Sequence, residues 1–531
     1  MEKLFDIPLI KNQMYLRGRT GTEESCFSPP EEVILQPGET VSTDTYFGSF
    51  SCTPYLKFTT VRSVRAGLII QGKGKITLRC LAVRKGKLTD TPVTGQTFSS
   101  KEPETVLLSA PAAQYPDGCF YLRVTAAEQT RLSSLWYEGE GKPRAVKIGV
   151  ILCTFRREEY VLQNLRILAA ARKEDPLLQD SLEIFCVDNG GTLKDVPEGV
   201  RLVGNRNFGG SGGYARGMME ARSSVPDCTH FWLMDDDIRF DPSILRRAVS
   251  FLRHEGAPGE REYNGMNAAG LSLAAGMFSF EEPAVQKEAT AVFNGYTFVS
   301  NASGLDFRKR GALLRNRIRE QRFMYGGWWS FITPSSERLP MPFFIKLDDA
   351  EYGIGAGYGR SADKALVVLN GFGVWHEAFG KKGNAWSEYY TTRNTLIIQA
   401  MYPALPHSAL KTLGIRLLKA LAYNEPKCME AALKGAEHFA AGPAAFRKAD
   451  PEARHREIMS AFGAPLRQDM SRKKMLRSAL QNLPDPRSRK SISFFFRALR
   501  LLAGSSRKAD RAGWNRMNTE SFWRKYPETE E

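Results

Sequence analysis

Apolar runs separated by turn signals dominate the first region of the chain, up to about residue 145. The runs 61–70 and 75–83 flank a Gly-Lys-Gly sequence, which predicts a hairpin. A further apolar run, 119–124, follows Pro-Asp-Gly and predicts another strand. Short strands divided by such turns predict an N-terminal β-sandwich over residues 1–145.

Strands that alternate with helices are predicted after residue 145. Leucines 162, 165 and 168 and the segment 214–219 predict two of the helices. The apolar run 147–153 predicts a buried strand of a parallel sheet, 182–187 and 231–234 predict further strands, and 200–203 leads into a glycine-rich segment. The alternation predicts an α/β region with a doubly wound sheet over residues 146–400, which makes the whole chain a multidomain α/β protein.

Helical spacing returns in the last region, residues 401–531, where Leu410, Leu413, Leu417 and Leu421 recur every three or four positions. Residues 471–511 are dense in Arg and Lys and contain one amphipathic segment. Its predicted apolar face consists of Ile492, Phe495, Leu499 and Leu502. This face suits either an anionic membrane surface or packing against the rest of the protein, and both interpretations stay open.

Composition narrows the function classes. The net charge of +16 suits nucleic acid, an anionic membrane or an anionic substrate, but no nucleic-acid-binding pattern is present and we predict no such partner. The eight cysteines include no Cys-x-x-Cys pair, which argues against a zinc ribbon and favours a reducing cytoplasm. No run reaches the roughly 18 apolar residues that a membrane span needs, and the first residues contain no apolar signal core.

Polar side chains follow three of the predicted parallel strands. They are Thr154, Phe155 and Arg156 after the first strand, Asp188 and Asn189 after the second, and Asp235, Asp236 and Asp237 after the run 231–234. The carboxyl ends of parallel strands converge on one edge of a sheet, where ligands bind. The three acids could bind a divalent cation or form a solvated acidic turn. The polar residues at the three strand ends could bind a nucleotide or cap separate helices.

A glycine-rich segment, 204–213, precedes the predicted helix at 214–219. Its five glycines allow a ligand to approach the backbone closely, and a helix N-terminus behind them suits a phosphate. The spacing matches neither a dinucleotide-binding fingerprint nor a P-loop. A Rossmann dehydrogenase and a P-loop nucleotidase are therefore disfavoured.

Four further features carry candidate chemistry. Asp348 and Asp349 follow a second apolar run and suit general-base catalysis, metal ligation or a surface turn. Trp328 and Trp329 could stack on a sugar or pack in the core. His376 could bind a metal or have a structural role. The aromatic segment 45–50 suits sugar binding, with core packing as the alternative.

The order of these motifs resembles the inverting family-two glycosyltransferases of the GT-A fold, and more narrowly the bacterial polymerising galactofuranosyltransferases. The resemblance rests on Thr-Phe-Arg, Val-Asp-Asn-Gly, Asn-x-Gly-Gly-Ser-Gly-Gly, Asp-Asp-Asp, Trp-Trp, Asp-Asp-Ala and Trp-His, in that order. It implies a GT-A-type, Rossmann-like catalytic domain flanked by the N-terminal β-sandwich and the C-terminal helices.

The resemblance also implies roles for individual residues. Asp235, Asp237 and His376 would hold Mn²⁺ or Mg²⁺. Asp349 would be the catalytic base, with Asp348 supporting it. Trp328, Trp329 and His376 would bind the acceptor. The donor-binding set would be Thr154, Phe155, Arg156, Asp188, Asn189, Asn207, Gly209, Gly210 and Asp236.

The implied reaction is inverting transfer of galactofuranose from UDP-galactofuranose to a cell-surface glycan. The acceptor would be a glycan or a lipid-linked glycan, and a lipid-linked acceptor would place the enzyme at the inner face of the membrane. Leu347, Glu351 and Ile354 depart from the family pattern beside the acceptor site, so acceptor and linkage stay open. Another donor such as dTDP-rhamnose, a non-catalytic carbohydrate-binding role and a homo-oligomer also stay open.

Overall fold

Four β-sheets and a series of helices are present in the computed structural model, which describes residues 1–10, 12–18, 32–256, 270–318, 321–358, 365–377, 384–406, 408–463, 472–504 and 511–526. The architecture is α/β, with a strand-rich first region, a mixed central region and a helical last region. No described helix has the length and apolar character required to cross a bilayer.

The described residues of the N-terminal region form nine strands, one short α-helix and a 3₁₀ turn. Its elements are β1 (Glu2–Asp6), β2 (Arg17–Gly18), β3 (Val33–Leu35), β4 (Thr40–Ser42), β5 (Phe50–Ser51), α1 (Cys52–Phe58), β6 (Ser63–Arg84), β7 (Lys87–Pro111), the 3₁₀ turn (Ala112–Gln114), β8 (Cys119–Ala126) and β9 (Thr130–Glu140). All nine strands are connected by antiparallel pairing into one hydrogen-bonded sheet, and the β-sandwich stays a prediction. Strand β6 connects its two halves, because it pairs with β9 along its first half and with β8 along its second.

The predicted hairpin turn at Gly72-Lys73-Gly74 is wrong. Strand β6 continues through these residues, and the register against β7 shifts between Ile70 and Gly72. Gly72 has a φ of 119°, so the glycine forms a bulge in one long strand. The reversal occurs instead at Lys85 and Gly86, whose φ values of 49° and 74° suit the tight turn of a two-residue hairpin.

The central region contains the predicted strand–helix alternation. Its elements are β10 (Ile148–Thr154), α2 (Glu158–Glu174), α3 (Pro176–Ser181), β11 (Leu182–Asp188), β12 (Val200–Gly204), α4 (Gly209–Ser224), β13 (His230–Asp235), β14 (Arg239–Phe240), α5 (Ser243–Arg253), β15 (Ser272–Ala274), β16 (Gly276–Ser279), β17 (Val285–Glu288), β18 (Thr290–Phe293), β19 (Phe298–Asn301), β20 (Leu305–Asp306), α6 (Ala312–Arg315), β21 (Met324–Gly326), β22 (Ser330–Pro334), α7 (Asp348–Ala356), β23 (Leu366–Val367), β24 (Gly373–His376) and α8 (Trp386–Met401).

A seven-stranded sheet forms the centre of this region, in the order β12-β11-β10-β13-β22-β15-β23. Strands β10 to β13 pair in parallel, as the continuous apolar runs predict, while β22 is antiparallel to β13. A five-stranded sheet, β14-β24-β16-β17-β20, takes its strands from the same part of the chain, and β19-β18-β21 form a smaller sheet. The parallel strands therefore end on a common edge, from which β14 leads directly into the second sheet.

The described part of the last region consists of helices. They are α9 (Ala409–Tyr423), α10 (Pro426–Ala440), α11 (Gly442–Lys448), α12 (Pro451–Phe462), α13 (Arg472–Asn482), α14 (Pro486–Gly504), α15 (Arg511–Asn515), a 3₁₀ turn (Arg516–Asn518) and α16 (Glu520–Lys525). Residue 471 and residues 505–510 of the predicted basic segment lie outside the described residues.

The predicted apolar face of α14 packs inside the protein. Phe495 is 8% exposed and belongs to the core of the helical region, and Leu499 and Leu502 pack against that core. The packing interpretation is therefore correct for these residues. Within the described part of the basic segment 471–511, the exposed large apolar side chains lie outside this face: Leu476, Leu480, Leu483 and Phe496.

Candidate active site

The three strand ends predicted from the sequence converge. Thr154, at the end of β10, is in register with Asp188 on β11, and Cys153 is in register with Asp235 on β13. This convergence follows from parallel pairing, because neighbouring strands that run the same way end at the same edge. Polar side chains therefore line this edge of the sheet, which forms one side of the candidate site.

Asp235, Asp237 and His376 form a three-residue cluster beside this edge. One potential ligand atom from each lies within 4.8 Å of the others, and His376 Nε2 is 3.2 Å from Asp237 Oδ1. The pairing of β14 with β24 brings them together, since β14 follows Asp237 in the chain and His376 ends β24. Residues far apart in sequence thus meet as the resemblance implies.

The donor set of this cluster fits a divalent cation. His376 Nδ1 donates its proton to the Glu377 carbonyl at 2.6 Å, which directs Nε2 towards Asp237. Two carboxylates and one imidazole match the ligand preferences of Mn²⁺, and the carboxylates also suit Mg²⁺. The side chain of Asp235 is held by a 3.0 Å hydrogen bond from the Tyr214 hydroxyl.

The electrostatics of the cluster are those of closely spaced acids. Burial and the neighbouring Asp237 charge raise the pKa of Asp235 to about 6. Burial also opposes ionisation of Asp237, but the hydrogen bond from His376 and the charge of Arg157 outweigh it and lower the pKa of Asp237. The hydrogen bond to Asp237 likewise overcomes burial and raises the pKa of His376. Positive charge is thus favoured at this point of the structure.

Arg157 is a functional candidate that sequence reasoning missed. Its guanidinium donates to Asp236 at 3.0 Å and to Asp237 at 2.8 Å, while the hydroxyl of Thr154 donates to Asp236 at 2.7 Å. Asn164 on α2 donates to the backbone carbonyl of Asp236 at 3.0 Å. Three adjacent acids need a compensating positive charge, and this was the sequence signal that could have identified Arg157. Arg157 directly follows the predicted Arg156 in the segment after β10.

Asp188 and Asn189 organise the strand-end loops. The carboxylate of Asp188 accepts hydrogen bonds from the backbone N–H groups of Gly190, Thr192 and Leu193, at 2.7–2.8 Å. The side-chain amide of Asn189 donates to the Gly209 carbonyl at 3.0 Å and accepts from the Asn205 side chain at 2.8 Å. These contacts give both residues a structural role, and their contact with a donor stays a prediction.

Phe155 and Arg156 lie on the surface next to this edge. Phe155 is 40% exposed, and the Arg156 guanidinium lies over its ring at 5.2 Å. Arg156 has a φ of 56°, which turns the chain out of the sheet. An exposed aromatic ring and a cation beside the converged strand ends suit a base and a phosphate, as expected for a nucleotide site.

Residues 209–213 of the glycine-rich segment form the first turns of α4, so the helix begins five residues before the predicted start at 214. A Cβ at Gly209 would lie 2.0 Å from the Phe344 carbonyl oxygen, and one at Gly213 would lie 2.0 Å from Cys153 Sγ. These glycines therefore permit close packing within the protein. Asn207 Oδ1 accepts from the Gly209 N–H at 3.1 Å, and the nearest atom to a Cβ at Gly210 would be Asp348 Oδ2 at 3.7 Å.

Asp348 and Asp349 begin helix α7 near the glycine-rich turn. Ser211 Oγ donates to Asp348 Oδ2 at 3.0 Å, whereas Asp349 Oδ1 accepts from the N–H of Ala350 at 2.7 Å. Burial raises the pKa of both carboxyls, and the like charge of Asp348 raises that of Asp349 further. One acid is thus held from a neighbouring helix, and the other has the raised pKa that suits a general base.

The segment before these acids is conformationally strained. Phe344, Lys346 and Leu347 have φ values of 72°, 68° and 70°, so the apolar run does not continue as a strand. Helix α8 holds the segment, since Asn394 Nδ2 donates to the Lys346 carbonyl at 2.7 Å and Arg393 donates to the Phe343 carbonyl at 2.7 Å. Strain held in place by its surroundings is common next to catalytic groups.

Trp328 and Trp329 are both largely buried, at 5% and 6% exposure. Trp329 donates its indole N–H to the Ala275 carbonyl at 3.1 Å and belongs to the main core. Trp328 packs edge-on against Tyr214 at 4.8 Å, and Tyr214 in turn donates to Asp235. Trp328 therefore borders the cation cluster. The sugar contacts of both tryptophans stay predictions, and so does the acceptor contact of the buried His376.

No family model matches this chain, but comparison with known proteins identifies sequence relatives that align with most of it. Among solved structures, the CBM22-1 and GH10 modules of the xylanase Xyn10B from Clostridium thermocellum superpose over 35% of this chain and 38% of their own, with a TM-score of 0.20 and 8% identity. A CBM22-1 xylan-binding domain from Paenibacillus barcinonensis Xyn10C superposes over 26% of this chain and 94% of its own, with a TM-score of 0.16 and 11% identity.

Two curated proteins align at sequence level. Galactofuranosyltransferase GlfT2 of Mycobacterium tuberculosis is 29% identical over 478 residues, which cover 82% of this chain and 71% of that protein. Galactofuranosyltransferase GlfT2 of Mycolicibacterium smegmatis is 28% identical over 477 residues, which cover 82% and 69% of the two chains. The chain is therefore related in sequence to galactofuranosyltransferases over most of its length.

Proposed function

We propose that this protein is a metal-dependent, inverting galactofuranosyltransferase that uses UDP-galactofuranose. The observation that carries the proposal is the Asp235–Asp237–His376 cluster beside converged parallel strand ends, in a chain related to galactofuranosyltransferases. Such an edge suits a nucleotide, and such a cluster suits the cation that accompanies its diphosphate.

The proposed reaction is a single displacement at the anomeric carbon. The Asp349 carboxylate takes the proton of an acceptor hydroxyl, and the hydroxyl oxygen forms the new bond to the anomeric carbon. The bond from that carbon to the diphosphate oxygen breaks on the opposite face, which inverts the configuration and releases UDP. The raised pKa of Asp349 suits proton uptake near neutral pH, and Ser211 fixes Asp348 beside it.

The other residues of the site bind and orient. A bound cation would offset the charge that develops on the leaving diphosphate. Asp235, Asp237 and His376 would hold it, while Arg157 balances the charge of Asp236 and Asp237. Phe155 and Arg156 provide an exposed ring and cation at the strand ends for the nucleotide.

A donor screen tests this function. The purified full chain is incubated with Mn²⁺, a galactofuranose-terminated acceptor and a panel of UDP- and dTDP-sugars, and released nucleotide is measured. We expect acceptor-dependent release from UDP-galactofuranose, and its loss in Asp349→Asn with donor binding retained. Release only from dTDP-rhamnose would replace the donor assignment, and no release from any sugar would favour a non-catalytic carbohydrate-binding protein.

We further propose that the helical region contacts an anionic membrane, where a lipid-linked glycan acceptor would lie. Leu476 and Leu480 project from α13 at 54% and 60% exposure, one helical turn apart, and Leu483 follows at 44%. Lys473, Lys474 and Arg477 are exposed on the same helix. Exposed leucines among cations suit the headgroup boundary of an anionic bilayer.

A further inference from the structure

The segment 43–50 of the N-terminal region consists of the loop that follows β4 and the first residue of β5, and its loop packs into the central region. Its aromatic residues Tyr46, Phe47 and Phe50 are completely buried, so the core-packing interpretation of this segment is correct. Tyr46 lies against Phe278 of β16 with ring centroids 5.0 Å apart. Strand β16 pairs with β24, the strand that ends in His376. The loop thus meets the sheet that carries one member of the cation cluster.

The hydroxyl of Tyr46 fits between two strands of that sheet. It donates to the carbonyl of Phe372 at 2.8 Å, one residue before β24 begins. A Cβ at Gly276 on β16 or at Gly373 on β24 would lie 2.8 Å from the hydroxyl oxygen. Both strands therefore have glycine at the points where this tyrosine approaches. The fit depends on Tyr46 on one side and on Gly276 and Gly373 on the other.

Phe47 supports the other end of the same strand. Its ring stacks on Trp375 with centroids 5.6 Å apart and an interplanar angle of 21°. Trp375 immediately precedes His376 and donates its indole N–H to the Pro283 carbonyl at 3.1 Å. The buried Arg247 on α5 joins the loop to the approach of β24, because it donates to the carbonyls of Phe47 at 2.6 Å and Asn370 at 3.0 Å.

We propose that Tyr46 and Phe47 are positioning residues for the cation cluster: they hold β24, and through it His376, at the distance from Asp235 and Asp237 that a cation needs. The inference rests on the proposed metal-dependent function. His376 lies on a separate strand from the two acids, so its distance from them depends on how β24 is held. A ligand set that is already assembled loses less conformational entropy on binding.

Mn²⁺ binding by the full chain without donor tests this role. The variants are Tyr46→Phe, which removes only the hydroxyl, and the control Tyr121→Phe, which makes the same change in the same N-terminal sheet. The Tyr121 hydroxyl accepts from Arg310 at 2.7 Å and donates to the Asp90 carboxylate at 2.7 Å. Electron paramagnetic resonance of free Mn²⁺ gives the dissociation constant, and the melting temperature reports any loss of stability separately.

We expect the dissociation constant to rise about three- to tenfold in Tyr46→Phe, as loss of one buried hydrogen bond allows, and to stay unchanged in Tyr121→Phe. The Mn²⁺ concentration for half-maximal activity should rise equally, with kcat at saturating Mn²⁺ kept. A merely structural role would lower the melting temperature without this change. If Tyr46→Phe does not fold, Phe47→Leu is measured by the same criteria.

An unchanged dissociation constant in a folded variant would overturn the positioning role and leave the proposed function intact. If the wild-type chain bound no Mn²⁺, the positioning role and the metal centre would fail together. Nucleotide release in the donor screen would then decide separately whether the chain transfers sugar without a metal.

Discussion

His376 Nε2 lies 3.2 Å from the Asp237 carboxylate, and this contact joins two sheets of the protein. Asp237 follows the last parallel strand of the seven-stranded sheet, and His376 ends a strand of the five-stranded sheet. The two-residue strand β14 is the connection, because it continues from the acids and pairs with β24. The site thus depends on the contact of the two sheets as much as on either one.

Removal of either ligand should weaken Mn²⁺ binding strongly. Loss of an outer-shell partner alone weakens metal affinity about 10- to 100-fold, so Asp237→Asn and His376→Ala should each raise the dissociation constant by at least about 100-fold. Calorimetric titration of the full chain with Mn²⁺ measures this. Asp117→Asn, at a side chain with 74% exposure, is the control and should bind as the wild type does. Wild-type affinity in His376→Ala would exclude the imidazole as a ligand.

The pH dependence of transfer should report the Asp348–Asp349 pair. Burial and the charge of Asp348 raise the pKa of Asp349, so the base is protonated and inactive at low pH, and kcat/KM should rise with pH as it ionises. In Asp348→Asn the like charge is absent, the pKa of Asp349 falls, and the acidic limb of the profile should move to lower pH. Initial rates of nucleotide release across pH 5 to 9 measure this, at roughly half-unit steps. An acidic limb that stays in place would show that another group sets the profile.

The central parallel strands could be predicted because β10, β11 and β13 are largely buried and their sequences are mostly apolar. The predicted run 147–153, for example, is shifted by one residue from Ile148–Thr154. The ends of those strands then determined which acids meet. The predicted hairpin failed because Gly72 forms a bulge in a continuous strand, and a Gly-Lys-Gly sequence alone does not distinguish a bulge from a turn.

Contacts between residues far apart in the chain could not be predicted from the sequence. The roles of Gly209 and Gly213 depend on Phe344 and Cys153, which approach them only in the folded chain. Arg157 and Arg156 are adjacent in sequence, and only the direction of the chain after β10 decides which of them meets the acids. Burial of Tyr46 likewise depends on a sheet more than 200 positions away in the sequence.

Gly209 should not tolerate a side chain. Gly209→Ala places a Cβ 2.0 Å from the Phe344 carbonyl oxygen in a residue with a φ of 69°, a conformation that alone costs about 1–2 kcal/mol. We expect a lower melting temperature and reduced transfer, because Phe344 begins the strained segment before Asp348. In Gly210→Ala the nearest atom would be 3.7 Å away, so this neighbouring control should keep a melting temperature near that of the wild type. Equal behaviour of the two variants would contradict the packing role.

Arg338 should be essential for stability. It pairs with Glu351 of α7, which is completely buried and also accepts from the Tyr402 hydroxyl at 2.5 Å. Arg338→Met would leave a buried carboxylate without its cation and should cost about 3–5 kcal/mol of unfolding free energy. The midpoint of urea unfolding measures this. Arg131→Met is the control, since Arg131 and its partner Glu32 are each 50% exposed, and an exposed pair contributes about 0–1 kcal/mol.

The exposed leucines of α13 should govern attachment to anionic vesicles. Replacing Leu476 and Leu480 together by Ser removes the apolar side chains and keeps every cation of the helix, so a loss of sedimentation with phosphatidylglycerol vesicles isolates the apolar contribution. Val83→Ser combined with Leu88→Ser, at 51% and 48% exposure on the N-terminal hairpin, is the matched control and should sediment as the wild type does. High salt should release the wild type because the cations contribute as well. Equal sedimentation of both double variants would show that α13 is not the attachment surface.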